Sequence, residues 1–428
     1  MIDYPDELNQ IFDKLQKNKA VPIIVGGFVR DNLLNIDSKD IDIEVYNIKS
    51  YEKLETILQE FGSVNSVGKS FGVCKLKINN LELDFSLPRT DSKMSNGHKG
   101  FNVKIGSDLD LFDAFKRRDF TVNAIGYDVI NKTIIDLFDG QKDLKNRTLK
   151  AVDKSTFVED PLRVLRAVQF CARFNLSMDK ELFLLCKSMV KNNMLDELPK
   201  ERVFTEINKL LLKSPKPSIG FELLKELGAL KYFTKLNELT ESRWTHILLA
   251  INEMAKLQVP NKKVKITLML SILCSTFSEE EISSFIYNIS TEKELIDKIL
   301  PLVKHYKDIH NIYTYKKDDS QLYRLATKVN IEELLLLSRA EYFVDADNST
   351  KYDEGDLVKK RAIKLGILNK KLPPLLQGRD LLKCGLSPSK EFSIILANAY
   401  EAQMDGVFSS YDEALVWLKN NIILHNAE

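Results

Sequence analysis

Asp40 and Asp42, in the stretch DIDIEVY, are two carboxylates one residue apart in an otherwise apolar run. In an extended strand alternate side chains share a face, so the two point the same way. Carboxylates held that close repel each other and push one pKa up unless a divalent cation sits between them. Asp40 and Asp42 are therefore the candidate metal ligands, and Mg2+ is the expected ion. Just upstream, VPIIVGG carries an apolar strand into Gly26-Gly27, followed by a helix start that bears Arg30. A glycine turn ahead of a helix N-terminus exposes backbone N–H groups that can hold phosphate oxygens. Phosphate donors beside a metal pair imply metal-dependent nucleotidyl transfer. The stretch is neither G-x-G-x-x-G nor a P-loop Lys-Ser/Thr motif, so dinucleotide binding and Walker-type hydrolysis are not supported.

The order strand, Gly-Gly, Arg30-Asp31, D-x-D, together with motifs downstream, resembles the class II tRNA nucleotidyltransferase and bacterial poly(A) polymerase family. The resemblance extends over essentially the whole chain. It implies a third acidic residue on a neighbouring strand; Glu82 and Asp84 in LELDFSL share one face, and Asp84 is preferred because it sits where that residue falls relative to Pro88-Arg89-Thr90. Asp40, Asp42 and Asp84 are then the expected catalytic carboxylates of a two-metal phosphoryl transfer. The polar stretch RTDSKMSNGHKGFNV, which includes His98, is similar to the family's active-site loop. In KRRDFTVNAIGYD, Arg118 matches the nucleotide-contacting arginine and Asn123 an asparagine that bonds the ribose or local backbone. Forked guanidinium donors suit triphosphate oxygens, which are matched two at a time.

EDPLRVLRAVQFCARF, residues 159 to 174, reads as an amphipathic helix opening at Asp160-Pro161. Its arginines Arg163, Arg166 and Arg173 lie opposite an apolar face of Val164, Val168, Cys171 and Ala172. Cytosine and adenine both offer an exocyclic amine beside a ring-nitrogen acceptor, whereas uracil and guanine present a carbonyl in place of the amine. A carboxylate with a guanidinium can pair with either of the first two, so Asp160 and Arg163 are expected to select CTP and ATP without a nucleic acid template. By resemblance Arg166 also touches the nucleotide, and Gln169 replaces an arginine of many relatives. LPKERVFTEINKLL is expected to buttress this helix through Glu201, Arg202 and Glu206.

These groups need rigid elements, and the chain supplies them in two styles. Up to about residue 150, VPIIVG, DIDIEVY, VCKLKI, LELDFSL and TIIDLF read as strands and Tyr51–Phe61 as a helix; from Pro161 onward apolar residues recur at three and four. The expected fold is α+β: a polymerase-β-like nucleotidyltransferase head of mixed α/β structure over 1–150, then an all-helical neck over 151–213, body over 214–345 and tail over 346–428. Residues 214–220, SPKPSIG, and 372–380, LPPLLQGRD, read as junctions. RWTHILLAINEM and LMLSILCSTF are similar to the opening of a metal phosphohydrolase domain, but Cys274-Ser275 stands where its His-Asp pair belongs, which argues against that activity.

Composition is 44% apolar and 29% charged, with 62 basic against 61 acidic residues. No apolar run approaches the roughly 18 residues of a membrane span, and the N-terminus lacks a basic region followed by an apolar one, so a cytoplasmic location is expected. The five cysteines are scattered without a C-x-x-C pair, which indicates neither a zinc site nor a disulfide framework. Lys359, Lys360, Arg361, Lys364, Lys370 and Lys371 gather in a stretch free of acidic residues and are the expected RNA contacts. The segment that follows, PLLQGRDLLKCGLSPSKEFSIILANAYEAQMDGVFSSYDEAL, resembles the family's tRNA-gripping tail. The expected activity is addition of CCA to tRNA 3′ ends from CTP and ATP, with tRNA as partner and no protein partner or membrane indicated. Poly(A) polymerase, or a CC-only or A-only nucleotidyltransferase, is the alternative.

Overall fold

The computed structural model describes residues 2–65, 72–79, 81–93, 101–105, 109–314, 318–345, 351–388 and 390–425. Two compact units are present: Met1–Ser214 with Ile219–Lys231, and Pro215–Ser218 with Tyr232–Glu428.

The first unit is built on a seven-stranded sheet of β1 (Val21–Val25), β2 (Ile41–Tyr46), β3 (Ser63–Asn65), β4 (Val73–Ile78), β5 (Leu81–Ser86), β8 (Ile125–Asp128) and β9 (Thr133–Asp136), ordered β3-β4-β5-β2-β1-β8-β9. Only β2 and β5 run parallel, with Asp42 opposite Asp84; β1 is antiparallel to both neighbours, with Val25 opposite Asp42 and Gly126. These registers bring the end of β1 and the two aspartates to one region of the sheet. Ile41, Ile43 and Val45 face the core and are fully buried, each worth about 1.5–3 kcal/mol of hydrophobic stabilisation. The helices against the sheet include α1 (Glu7–Lys17), α2 (Gly27–Leu33), α3 (Tyr51–Leu58), α4 (Leu111–Lys116) and α5 (Gly140–Lys145). Leu8, Ile11, Phe12 and Leu15 of α1 are buried, a spacing that places one stripe on the sheet.

After the head, strand structure reduces to the two-residue pair β10 (Thr148–Leu149) and β11 (Ser177–Met178). Around it pack α6 (Lys154–Phe157), α7 (Leu162–Phe174), α8 (Lys180–Lys191), α9 (Lys200–Lys213) and α10 (Ser218–Glu226). The second unit is helical in all its described elements: α11 (Glu241–Lys256), α12 (Lys262–Leu273), α13 (Glu279–Ile289), α14 (Glu294–His305), α15 (Asp308–Thr314), α16 (Asp319–Lys328), α17 (Ile331–Asp345), α18 (Asp353–Lys364), α19 (Gly378–Lys383), α20 (Lys390–Met404) and α21 (Tyr411–His425). Its second core gathers Leu381, Ala399, Phe408, Ala414 and Leu418 beyond the 372–380 junction.

The α+β reading and the strands expected from the sequence are present, and two corrections follow. The polar stretch read as a loop, RTDSKMSNGHKGFNV, itself supplies β6 (Arg89–Lys93) and most of β7 (Phe101–Ile105), which pair antiparallel; cross-strand hydrogen bonds do not need apolar side chains, so composition hid them. His98 and the rest of 94–100 lie outside the described residues. The junction at 214–220 is only partly a linker, because Ser218 already begins α10 and the second crossing between units falls at Lys231–Tyr232.

Candidate functional site

A cavity of about 410 Å³ in the first unit collects every residue expected to bind nucleotide: Gly26, Gly27, Arg30, Arg118, Asn123, Asp160, Arg163 and Arg166. Asp42 lines it too, with Asp119, Leu162, Phe170 and Arg202. Asp40, just before β2, and Asp84, on β5, lie beside the cavity rather than in its described wall.

Gly26 is where β1 turns into α2. Its φ of +72° belongs to a region that side-chain-bearing residues avoid, and a Cβ there would lie 2.8 Å from Arg118 Nη1. The glycine thus serves both the turn and the arginine beneath it. Its own N–H donates to the Ile125 carbonyl at 3.0 Å, which corrects one expectation: the free N–H groups at this turn begin at Gly27.

Arg118 is held from the other side by Glu44, at 2.8 Å from its Nη2, and the same carboxylate oxygen takes Arg117 Nη2 at 2.9 Å. Burial opposes charge on Glu44, but Arg118 and Arg117, with the Tyr46 hydroxyl donating at 2.8 Å, outweigh it and hold its carboxyl below the ordinary range. Glu44 was not singled out by the sequence reading, although Asp40, Asp42 and Glu44 continue one period-two row. Asp42 behaves oppositely. Its enclosure by surrounding protein pushes the carboxyl up even though its outer edge is exposed; Arg118 pulls it down, and Asp84, Asp40 and Glu44 push it up again. Asp84 Oδ2 meets Lys75 Nζ at 3.1 Å, an exposed pair of little energetic weight.

These crowded hard oxygens fit a divalent cation, which would relieve the repulsion that Asp42 feels. Among the described residues no group of three His, Cys, Asp or Glu stands ready as a ligand cluster.

The wall contributed by α7 is fastened to the head by buried charge. Arg166 Nε and Nη2 reach Asp119 Oδ2 at 2.7 and 2.5 Å, while Asn123 Nδ2 and the Phe120 N–H donate to Oδ1, each at 2.9 Å. Burial works against the Asp119 charge, yet Arg166 and the Asn123 hydrogen bond hold its carboxyl below the usual range. Arg166 also lies 3.9 Å from Glu206 of α9. Arg30, 4% exposed, is sandwiched against Phe170 and Phe174, with its guanidinium carbon 5.1 and 4.3 Å from the ring centroids, and bonds Asp31 and Asn123. It lines the cavity while bracing α2 to α7. Arg163 donates to the backbone carbonyls of Thr156 at 2.7 Å and Arg117 at 2.9 Å.

Asp160 accepts from the Leu162 N–H at 3.2 Å, the helix-capping bond expected from its position, and from Arg202 Nη2 at 2.8 Å. Arg202 of α9 therefore both buttresses Asp160 and lines the cavity. Gln169 is 1% exposed, inside α7 rather than on the cavity wall.

The basic stretch divides in three dimensions. Lys359 pairs with Glu332 at 3.9 Å and Arg361 with Asp319 at 2.5 Å, so acidic partners absent from the local sequence come from α16 and α17. Lys360, Lys364, Lys370 and Lys371 are exposed.

A sheet that presents carboxylates beside a glycine turn, closed by an arginine-bearing helix, has counterparts among known proteins. Residues 23–150 match the family model of the "Poly A polymerase head domain", and residues 175–239 match the "Probable RNA and SrmB- binding site of polymerase A". By these two segments the chain is similar to poly(A) polymerases and CCA-adding enzymes. The multifunctional CCA protein of Aliivibrio salmonicida is 41% identical over 210 residues, which are 48% of this chain and 49% of the relative; the chain thus spans about half the length of this relative. The Bacillus stearothermophilus CCA-adding enzyme, solved in complex with CTP, shares the fold over 99% of this chain and 100% of its own, with a TM-score of 0.76 and 20% identity. The Thermotoga maritima CCA-adding enzyme, solved with tRNA_CCA, covers 98% and 97% at a TM-score of 0.65 and 21% identity.

Proposed function

We propose that this chain is a tRNA nucleotidyltransferase that adds CCA to tRNA 3′ ends from CTP and ATP. The observation that carries the reading is the single cavity in which Asp42, the glycine turn, Arg118 and the α7 residues Asp160, Arg163 and Arg166 meet. Asp40 and Asp42 are the residues that would hold Mg2+, with Asp84 alongside. The bound ion supplies activation of the RNA 3′-hydroxyl and neutralisation of the triphosphate. Arg118 and the N–H groups from Gly27 onward take phosphate oxygens, and Arg30 sets the angle of that turn by its brace to α7. Asn123, oriented by Asp119, faces the ribose. Asp160 has four lone-pair sites on its carboxylate and two described hydrogen bonds, which leaves acceptors for the amine of C or A. Arg163 supplies the donor for the neighbouring ring nitrogen.

The four-part division into head, neck, body and tail at 1–150, 151–213, 214–345 and 346–428 belongs to the same reading. The tRNA is gripped by the helical part, with Lys360, Lys364, Lys370 and Lys371 as phosphate contacts and Lys359 and Arg361 tied into their ion pairs. A cytoplasmic location accords with the substrate; no helix among the described residues is long and apolar enough to cross a membrane. Transcripts of tRNA that end at the discriminator base, at C and at CC, each given CTP, ATP or both with Mg2+, test the proposal at single-nucleotide resolution. CCA addition extends them by three, two and one residues. Extension that stops after CC, begins only on CC, or runs on in A with ATP alone would replace it with a CC-only, A-only or poly(A) activity.

A further inference from the structure

Glu44 lies two residues beyond Asp42 on β2, in the same period-two row, but at 1% exposure it sits beneath the cavity and not in its wall. Its Oε1 accepts from Arg117 Nη2 at 2.9 Å and from Arg118 Nη2 at 2.8 Å, and its Oε2 accepts from the Tyr46 hydroxyl at 2.8 Å. Both carboxylate oxygens are thus engaged from within the protein. Of the two arginines, Arg118 lines the cavity. Its guanidinium carbon stands 5.3 Å from the centroid of the Phe115 ring, and its Nη1 donates to the Asn123 carbonyl at 3.4 Å. A guanidinium is a rigid planar fork, so contacts at both Nη atoms fix which edge it turns toward the glycine turn.

A buried acid in this place can act on phosphate binding in two opposite senses. As a charge it subtracts from the positive field of Arg117 and Arg118, and its loss would tighten the binding of a polyanion. As an anchor it holds Arg118 at the angle where forked donors meet two oxygens, and its loss would weaken that binding. The geometry favours the anchor. Two guanidiniums share one carboxylate oxygen, so a net positive charge remains on the pair. Asp42 also faces Arg118, and in the proposed reading its charge is met by the cation. Without Glu44 the two adjacent cations would repel each other, and Arg118 would be left to the Asn123 carbonyl and the Phe115 ring.

We infer that Glu44 is a positioning residue for the triphosphate: it touches no substrate and acts by fixing Arg118, with Tyr46 fixing Glu44 in turn. The inference rests on the nucleotidyltransferase reading. The test is steady-state kinetics of the full chain with Mg2+, using a tRNA transcript that ends at C for CTP and one that ends at CC for ATP. Glu44→Gln, of nearly the same shape, should raise the KM for both nucleotides about tenfold, the scale of one weakened charge-assisted hydrogen bond to phosphate, with kcat and the KM for tRNA near the parental values. Partial unfolding would instead lower kcat and leave KM in place. Tyr46→Phe removes the hydroxyl donor but keeps the carboxylate charge; it should raise both nucleotide KM values about two- to threefold and carries the test if the Gln variant does not fold. An unchanged or lower nucleotide KM in Glu44→Gln or, where that variant does not fold, an unchanged KM in Tyr46→Phe would overturn the inference, a lower value marking Glu44 as a screening charge. A parent chain that incorporates neither CTP nor ATP would overturn the nucleotidyltransferase reading itself, and the inference with it.

Discussion

Replacing Arg166 with Met is the most informative perturbation of the neck, because it separates holding the cavity wall from touching substrate. The side chain is 29% exposed and its partner Asp119 is 9% exposed, so the change leaves a buried carboxylate with only Asn123 and the Phe120 N–H. Breaking a buried pair from one side costs about 3–5 kcal/mol, and the partial exposure of Arg166 points to the lower end, about 3. Removing the stranded charge by Asp119→Asn in the same chain should return about 1–3 kcal/mol as coupling. Both tryptophans, Trp244 and Trp417, lie in the second unit, so tryptophan fluorescence does not report on this site. Hydrogen exchange of the α7 amides does, and the single variant should speed it by roughly two decades where exchange follows local opening. Asp119 has its carboxyl depressed in the folded state. Its contribution is therefore present above the unfolded value near ~3.9 and lost as pH falls through the folded one. Unchanged α7 protection in Arg166→Met at neutral pH, or a double variant less protected than the single, would refute the argument.

Asp42→Asn should abolish incorporation of both nucleotides while tRNA binding, measured by filter retention, persists. In the parent chain the raised Asp42 carboxyl should weaken Mg2+ binding on acidification sooner than an ordinary carboxylate would. Gly26→Ala meets both the positive φ and Arg118 at 2.8 Å; it should cost about 1–3 kcal/mol in a melt and raise the KM for CTP and ATP. Lys360 and Lys364 changed together to Glu should raise the KM for tRNA, most at low salt, lessen its dependence on salt, and leave the KM for CTP unchanged. Lys359 and Arg361 treated alike should change the KM for tRNA less, because Glu332 and Asp319 already engage them.

What was legible in the sequence is what short-range pattern encodes. The alternation in DIDIEVY and VCKLKI marks strands, and the glycine turn and the arginine-bearing α7 are read from local pattern, whereas Arg118, Asn123 and Arg166 come from the family resemblance; the structure gathers these residues around one cavity. Glu44 escaped because a buried acid inside a strand looks like an interruption of the core until Arg117 and Arg118, seventy-odd positions away, are seen to neutralise it. Asp119 escaped for the same reason: its meaning lies in Arg166 and Asn123. The basic stretch shows the same limit from the other side, since a run without acidic neighbours in sequence acquires Glu332 and Asp319 from two other helices. The β6–β7 hairpin was hidden by polar residues whose pairing is made by backbone alone.

The central claim is that side chains of this chain, and not a nucleic acid template, choose cytosine and adenine. It is tested most directly by kcat/KM for CTP, ATP, UTP and GTP in the parent chain and in Asp160→Ala. The account predicts that CTP and ATP lose ground relative to UTP and GTP by about 1–3 kcal/mol, the scale of a bidentate base-edge contact, while catalysis itself survives. A uniform fall across all four nucleotides, with a lower melting temperature, would contradict it and leave Asp160 as the cap of α7 and the partner of Arg202 alone.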